Sequence, residues 1–145
     1  MNLVSIVMPC YNSEYTISRA IDSVLSQSYV YWELIIINDC SSDKSVSIIK
    51  EYTEKDKRIK LLENDVNLGV SHSRNIGIKL ASGDYLTFLD SDDYWEINKL
   101  DLQVLFLLNN NKHICYTYYT TVNENEFIIK NIKRLPSEVN YNKLL

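Results

Sequence analysis

Four short apolar runs, each followed by a segment with helical periodicity, constrain this chain more than any other feature. The runs are Leu3–Met8, Trp32–Ile37, Ile59–Leu62 and Tyr85–Leu89. Short, nearly continuous apolar runs suit strands buried on both faces. After the first run, Ser13 offers an N-cap and Glu14 a first-turn acid. They precede a stripe of Ile17, Ile21, Val24 and Leu25. Ser41, Ser42 and Asp43 form a capping cluster ahead of Val46, Ile49 and Tyr52. Asn67-Leu68-Gly69 reads as a turn, followed by a helix over 70–81 that Ser82-Gly83 terminates. Asp93 and Glu96 resemble a capping pair, with a helix from there to about Leu108. The repeated strand–helix order predicts an α/β fold, a mostly parallel sheet with helices on both faces.

Beyond the last helix the period changes. Ile114, Tyr116, Tyr118, Thr120 and Val122 alternate with other residues, Asn123–Glu126 reads as a turn, and Phe127–Ile132 returns as a partner strand. A C-terminal β-hairpin is expected. No linker, repeat or low-complexity segment interrupts residues 1–145, so a single domain is expected. Asn140–Leu145 looks like the opening of a helix without a C-cap. The long helix carries Leu100, Val104 and Leu107 on one face but also Leu102, Leu105 and Phe106 elsewhere. Both features lead to the expectation that further chain normally packs here.

Composition narrows the partners. The net charge of -4 provides no basic face for nucleic acid, whose binding rests on phosphate neutralisation. Cys10, Cys40 and Cys115 are odd in number and scattered, which fits free thiols in a reducing compartment. The start has no signal-peptide pattern, and no segment approaches the roughly 20 apolar residues of a membrane span. The expected location is the cytoplasm or the inner face of its membrane.

In an open parallel sheet, ligands bind beyond the carboxyl ends of the strands. The unusual polar residues of this chain fall there: Pro9, Tyr11 and Asn12 after the first strand, Asn38 and Asp39 after the second, Asp90, Ser91, Asp92 and Asp93 after the fourth. The three glycines, Gly69, Gly77 and Gly83, build neither a GxGxxG turn nor a P-loop, so a pyrophosphate would need another source of positive charge. Asp90 and Asp92, two residues apart at a strand exit, can face one point and hold Mg²⁺ or Mn²⁺, or they can simply cap the next helix. Asp39 can cap a helix or accept N–H bonds from a base. Tyr11 can stack on a base or fill core. Arg74 can lie on the surface or reach the crevice. His72 and His113 read as solvated or packed.

Together the stretches VSIVMPCYNSE, ELIIINDCSSDKS and NLGVSHSRNIGIKLASGDYLTFLDSDDYW resemble family 2 glycosyltransferases with the GT-A, Rossmann-like fold. The resemblance implies a nucleoside pocket walled by Pro9, Tyr11 and Asn12 with Glu14 nearby, and base contact by Asp39, usually to uracil. It implies nucleotide contact by Arg74, ribose or metal contact by Asp90 with Ser91 beside it, and Mn²⁺ or Mg²⁺ ligated by Asp92. Asp93 matches a common extra acid, with helix capping as its expected duty. The implied reaction is transfer of a sugar, with inversion, from a nucleoside-diphosphate sugar to a glycan or lipid-linked acceptor. No catalytic base is recognisable: Glu124, Glu126 and Glu138 lie in no base motif, and the base is expected beyond residue 145. The rival readings are a nucleotide- and metal-binding fragment without turnover, a nucleotidyltransferase, which normally needs a Gly-rich first loop, and a receiver domain, which needs acids after the first strand.

Overall fold

The computed structural model of the chain describes residues 2–123 and 127–131. Its element order is β1 (Val4–Cys10), α1 (Ile17–Leu25), β2 (Trp32–Asn38), α2 (Ser45–Lys55), β3 (Ile59–Glu63), α3 (Val70–Leu80), β4 (Tyr85–Phe88), α4 (Lys99–Asn110), β5 (Thr120–Val122) and β6 (Ile128–Asn131). Two compact units divide the chain, Met1–Val104 and Leu105–Leu145.

In the first unit the four strands are parallel, in the order β3-β2-β1-β4. The strand order therefore reverses between β1 and β4, and the crevice of such a sheet opens there. Every residue of β1 and β2 is buried, as expected for strands covered on both faces. Val4, Ile6, Met8 and Cys10 share one face with Trp32, Leu34 and Ile36. That face packs against Ile17, Ala20, Ile21 and Val24 of α1, Ile49 of α2, and Leu100 and Val104 of α4. On the other face α3 lies on β1 and β2. A Cβ at Gly77 would stand 2.3 Å from Val7 Cγ1, so glycine is what allows the helix that close.

The expected strand–helix order and both-face coverage hold, and three boundaries move. α1 begins at Ile17 rather than at Ser13, because residues 12–14 are held by the neighbouring loop. Ser13 contributes its carbonyl, which accepts from the amides of Thr16 and Ile17, and not a side-chain cap. α4 begins at Lys99, so Asp93 and Glu96 do not cap it. The intervening residues are instead tied to α1. Among the described residues, the alternating segment from Ile114 pairs over Thr120–Val122.

The second unit contains the antiparallel β5–β6 pair, with an irregularity at Thr121/Val122. Residues 124–126 of the expected turn Asn123–Glu126, with Glu124 and Glu126 among them, lie outside the described residues, as do Glu138 and the helix expected over Asn140–Leu145.

Candidate functional site

Two loops leave the carboxyl ends of β1 and β2 side by side, and their polar side chains bond reciprocally. The Asn12 amide donates to Ser41 Oγ (2.9 Å), and the Ser42 amide donates back to Asn12 Oδ1 (2.9 Å). The Ser13 amide donates to Ser45 Oγ (2.8 Å). The Glu14 amide donates to Asp43 Oδ2 (2.9 Å), and Glu14 Oε2 accepts from the Lys44 amide (3.1 Å). Asn12 and Cys40, at the two exits, both adopt positive φ, 49° and 63°. Local side chain–backbone bonds of this kind replace the ladder where the strands end. The Glu14 carboxylate thus joins two loops.

Asp39 is buried, and its carboxylate accepts from the Leu68 amide (2.9 Å), the Gly69 amide (2.7 Å) and Asn64 Nδ2 (2.8 Å). Burial alone would raise its pKa, but the donors of Leu68, Asn64, Gly69 and Ser73 outweigh it and hold the group below its ordinary value. Gly69 has a φ of 87°, a conformation other residues rarely adopt, and it starts α3.

Beyond β4 the acids are held less tightly. Asp90 pairs with Arg74 Nη2 at 2.5 Å, while Arg74 Nε is buried without a hydrogen-bond partner among the described residues. The Ser91 and Ser13 hydroxyls share a bond of 2.7 Å, joining this loop to the exit of β1. Asp92 is exposed, and its carboxylate accepts no hydrogen bond among the described residues. The Asp93 carboxyl lies above its ordinary value through desolvation first and then the charges of Asp92 and Asp90, offset by Arg19.

These exits enclose a cavity of about 420 Å³. Its lining contains Pro9, Tyr11, Asn12, Asp39, Asp90, Ser91 and Asp92, so most of the residues singled out in the sequence converge on one space. Glu14 and Arg74 are not in that lining, although Arg74 grips Asp90, which is. Tyr11 is 53% exposed, so it is not core. His72 and His113 are exposed. Sequence reasoning missed Thr16, Val70 and Ser73, which also line the cavity. Thr16 precedes α1 and the other two belong to the first turn of α3, and in a parallel sheet helix starts face the same crevice as strand ends. Cys10 also lines it; burial pushes its thiol pKa up, which keeps it protonated.

Among the described residues no group of three or more His, Cys, Asp or Glu is assembled to hold a metal. The donor set at Asp90 and Asp92 is two carboxylates opening on the cavity. That chemistry fits a hard divalent cation which takes its remaining ligands from phosphate and water, the usual habit of Mg²⁺ at nucleotide sites.

A parallel sheet with a crevice at its switch point and acids at the exit of β4 defines an α/β nucleotide-binding type of fold. The model of the family "Glycosyl transferase family 2" matches residues 5–144, and the chain belongs to that family. It is 46% identical over 143 residues to the Escherichia coli UDP-Glc:alpha-D-GlcNAc-diphosphoundecaprenol beta-1,3-glucosyltransferase WfgD, a match covering 99% of this chain and 55% of WfgD. The chain spans about half the length of curated relatives such as WfgD. Among solved structures it is similar to S. aureus TarS 1-349 in complex with UDP-GlcNAc, with 30% identity, TM-score 0.71, and coverage of 74% of this chain and 32% of that one. The mannosyltransferase PcManGT from Pyrobaculum calidifontis, in complex with GDP-Man and Mn²⁺, has TM-score 0.69 at 23% identity over 73% of this chain and 32% of its own; that likeness speaks to the GT-A fold alone. No helix among the described residues is long and apolar enough to cross a membrane.

Proposed function

We propose that this chain carries the donor site of a glycosyltransferase, binding a UDP-sugar in the cavity between the exits of β1, β2 and β4. The observation that carries the reading is the convergence of Asp39 from one side with Asp90 and Asp92 from the other on one cavity of a family 2 chain. The UDP-Glc in WfgD's name and the UDP-GlcNAc bound to TarS support uridine as the donor nucleoside.

In this reading the half-exposed Tyr11 ring offers a stacking surface to the base, with Pro9 and Asn12 shaping the wall. The Asp39 carboxylate has about four acceptor positions. Asn64 and the Leu68 amide bond to Oδ1 and the Gly69 amide to Oδ2, and in this reading Oδ2 also accepts from a base N–H. Asp92 and Asp90 would hold Mn²⁺ or Mg²⁺, with the Ser91 hydroxyl tying their loop to Ser13 at the exit of β1. When bound there, the cation would supply the positive charge that a diphosphate needs and a net-negative cleft lacks. Arg74 can exchange its bond with Asp90 for one with a phosphate, since its Nε lacks a partner among the described residues. The sugar then passes, with inversion, to a glycan or lipid-linked acceptor. The diphosphoundecaprenol acceptor in WfgD's name supports a lipid-linked one. None of the described residues is assigned to the acceptor or to the base.

The test is calorimetric titration of UDP with and without Mn²⁺. Wild type should bind more tightly with Mn²⁺, and Asp92→Ala should lose that gain while retaining metal-free binding. UDP affinity indifferent to both the ion and Asp92 would remove the metal from this reading.

A further inference from the structure

The segment between β4 and α4 carries the acids of the site yet belongs to neither strand nor helix. Residues 89–98 draw on no ladder of their own: the amides of Leu89, Asp93 and Lys99 bond to the carbonyls of Val7, Asp90 and Glu96. A segment this poor in backbone bonds needs its fixation from elsewhere.

That fixation comes from one helix and its flanks. Arg19, on the third residue of α1, donates from Nη2 to the Asp92 carbonyl at 3.1 Å, and its guanidinium lies 4.6 Å from the centre of the Tyr94 ring. Two turns further, Gln27 is buried and divides its amide between the two ends of the next stretch. Nε2 donates to the Glu96 carbonyl (2.8 Å), and Oε1 accepts from the Leu100 amide (3.0 Å). The Ser28 amide donates to the Ile97 carbonyl at 2.8 Å. Residues 92–100 are therefore laid along α1 and fastened at both ends.

We propose that α1 is the splint of the acidic loop, with Arg19 and Gln27 as positioning residues that fix where Asp90 and Asp92 present their carboxylates. The proposal deepens the donor-site reading and rests on it for its functional consequence. Arg19 acts through the backbone of Asp92 rather than through its carboxylate, so it orients a ligand without competing for it. Its planar fork allows the carbonyl bond and the ring contact at once, which a lysine ammonium cannot reproduce. The Gln27 amide offers both a donor and an acceptor, so it can clamp a carbonyl and an amide where an acid or an apolar side chain cannot.

The experiment uses the chain with Arg19→Met, Arg19→Lys and Gln27→Leu, read in two ways. Hydrogen exchange without ligand comes first. Amides of residues 91–98 should exchange faster in Arg19→Met and Gln27→Leu, while β1, β2 and β3 stay protected as in wild type. The second readout is UDP titration with Mn²⁺. Loss of a bond from a charged donor corresponds to about a tenfold weaker Mn²⁺-dependent affinity in Arg19→Met. Metal-free UDP binding should be unchanged, and Arg19→Lys should restore only part of the loss. Loop exchange identical to wild type in both Arg19→Met and Gln27→Leu overturns the splint, as does an unaltered Mn²⁺ effect in Arg19→Met. A wild type whose UDP affinity ignores Mn²⁺ overturns the donor-metal reading instead, and the ligand-free exchange still decides whether α1 holds the loop.

Discussion

Glu33 and Asp92 are carboxylates at opposite ends of the same sheet, and their surroundings differ in kind. Glu33, near the start of β2, is buried, and its oxygens accept from Ser5 Oγ (2.6 Å), the Ser82 amide and hydroxyl (both 2.8 Å) and Lys60 Nζ (2.7 Å). It binds β1, β3 and the turn before β4 to one point. Burial alone would raise its pKa, but Lys60, Ser5 and Ser82 outweigh that and bring it from 4.5 down to about 2. Asp92 is exposed and faces the cavity with no donor to its carboxylate among the described residues. Asp39 stands between the two, pinned by three donors yet lining the same cavity. An acid whose acceptor capacity is filled by the fold serves the fold. One left open at a strand exit remains available to a ligand.

The comparison makes graded predictions. Glu33→Ala strands the Ser5 hydroxyl and the Ser82 amide without acceptors and should cost about 3 kcal/mol in urea denaturation. Its titration supplies a second check. A carboxylate with a depressed folded-state pKa stabilises the native state above its unfolded pKa and loses that contribution as pH falls. Stability should therefore decline from about pH 4.5 toward 2, and Glu33→Gln should flatten that part of the profile. Asp39→Asn keeps the shape but weakens two amide bonds to a charged acceptor, which predicts a loss of about 1–2 kcal/mol together with weaker UDP binding. Cys40→Gly removes a side chain from a left-handed conformation. Relief of about 1 kcal/mol of strain, less the added freedom of glycine when unfolded, predicts a gain near 0.5 kcal/mol. Asp92→Ala should leave stability within about 0.5 kcal/mol of wild type. A large loss there would show that the open acid is structural after all and erase the contrast with Glu33.

Much of this was legible in the residues. The apolar runs of β1 and β2 and the stripe of Ile17, Ile21 and Val24 marked the core, because burial on both faces demands apolar residues at every position. Tyr11, Asn12, Asp39, Asp90, Ser91 and Asp92 stand out as polar residues at strand ends, and Pro9 as the proline that closes the first apolar run. Other features had no local signature. The sequence around Asp93 and Glu96 carries every mark of a helix start, yet α4 begins at Lys99, because Gln27 and Ser28 hold the intervening backbone from another element. Glu14 stands outside the cavity lining, and its amide and carboxylate bond to the loop of Asp43 and Lys44, a pairing with no local signature. Arg19 lies in an ordinary amphipathic helix, and only packing brings it to Asp92.

The amino-acid sequence alone determined the order of strands and helices, the two-face burial of the central strands and the family, because periodicity and short motifs are written in neighbouring residues. Tertiary structure alone decided which acids are filled and which stay open, since that depends on donors 25 to 49 positions away in the chain. Hydrogen-bond satisfaction is a property of what the fold brings within about 3 Å, and sequence proximity does not encode it.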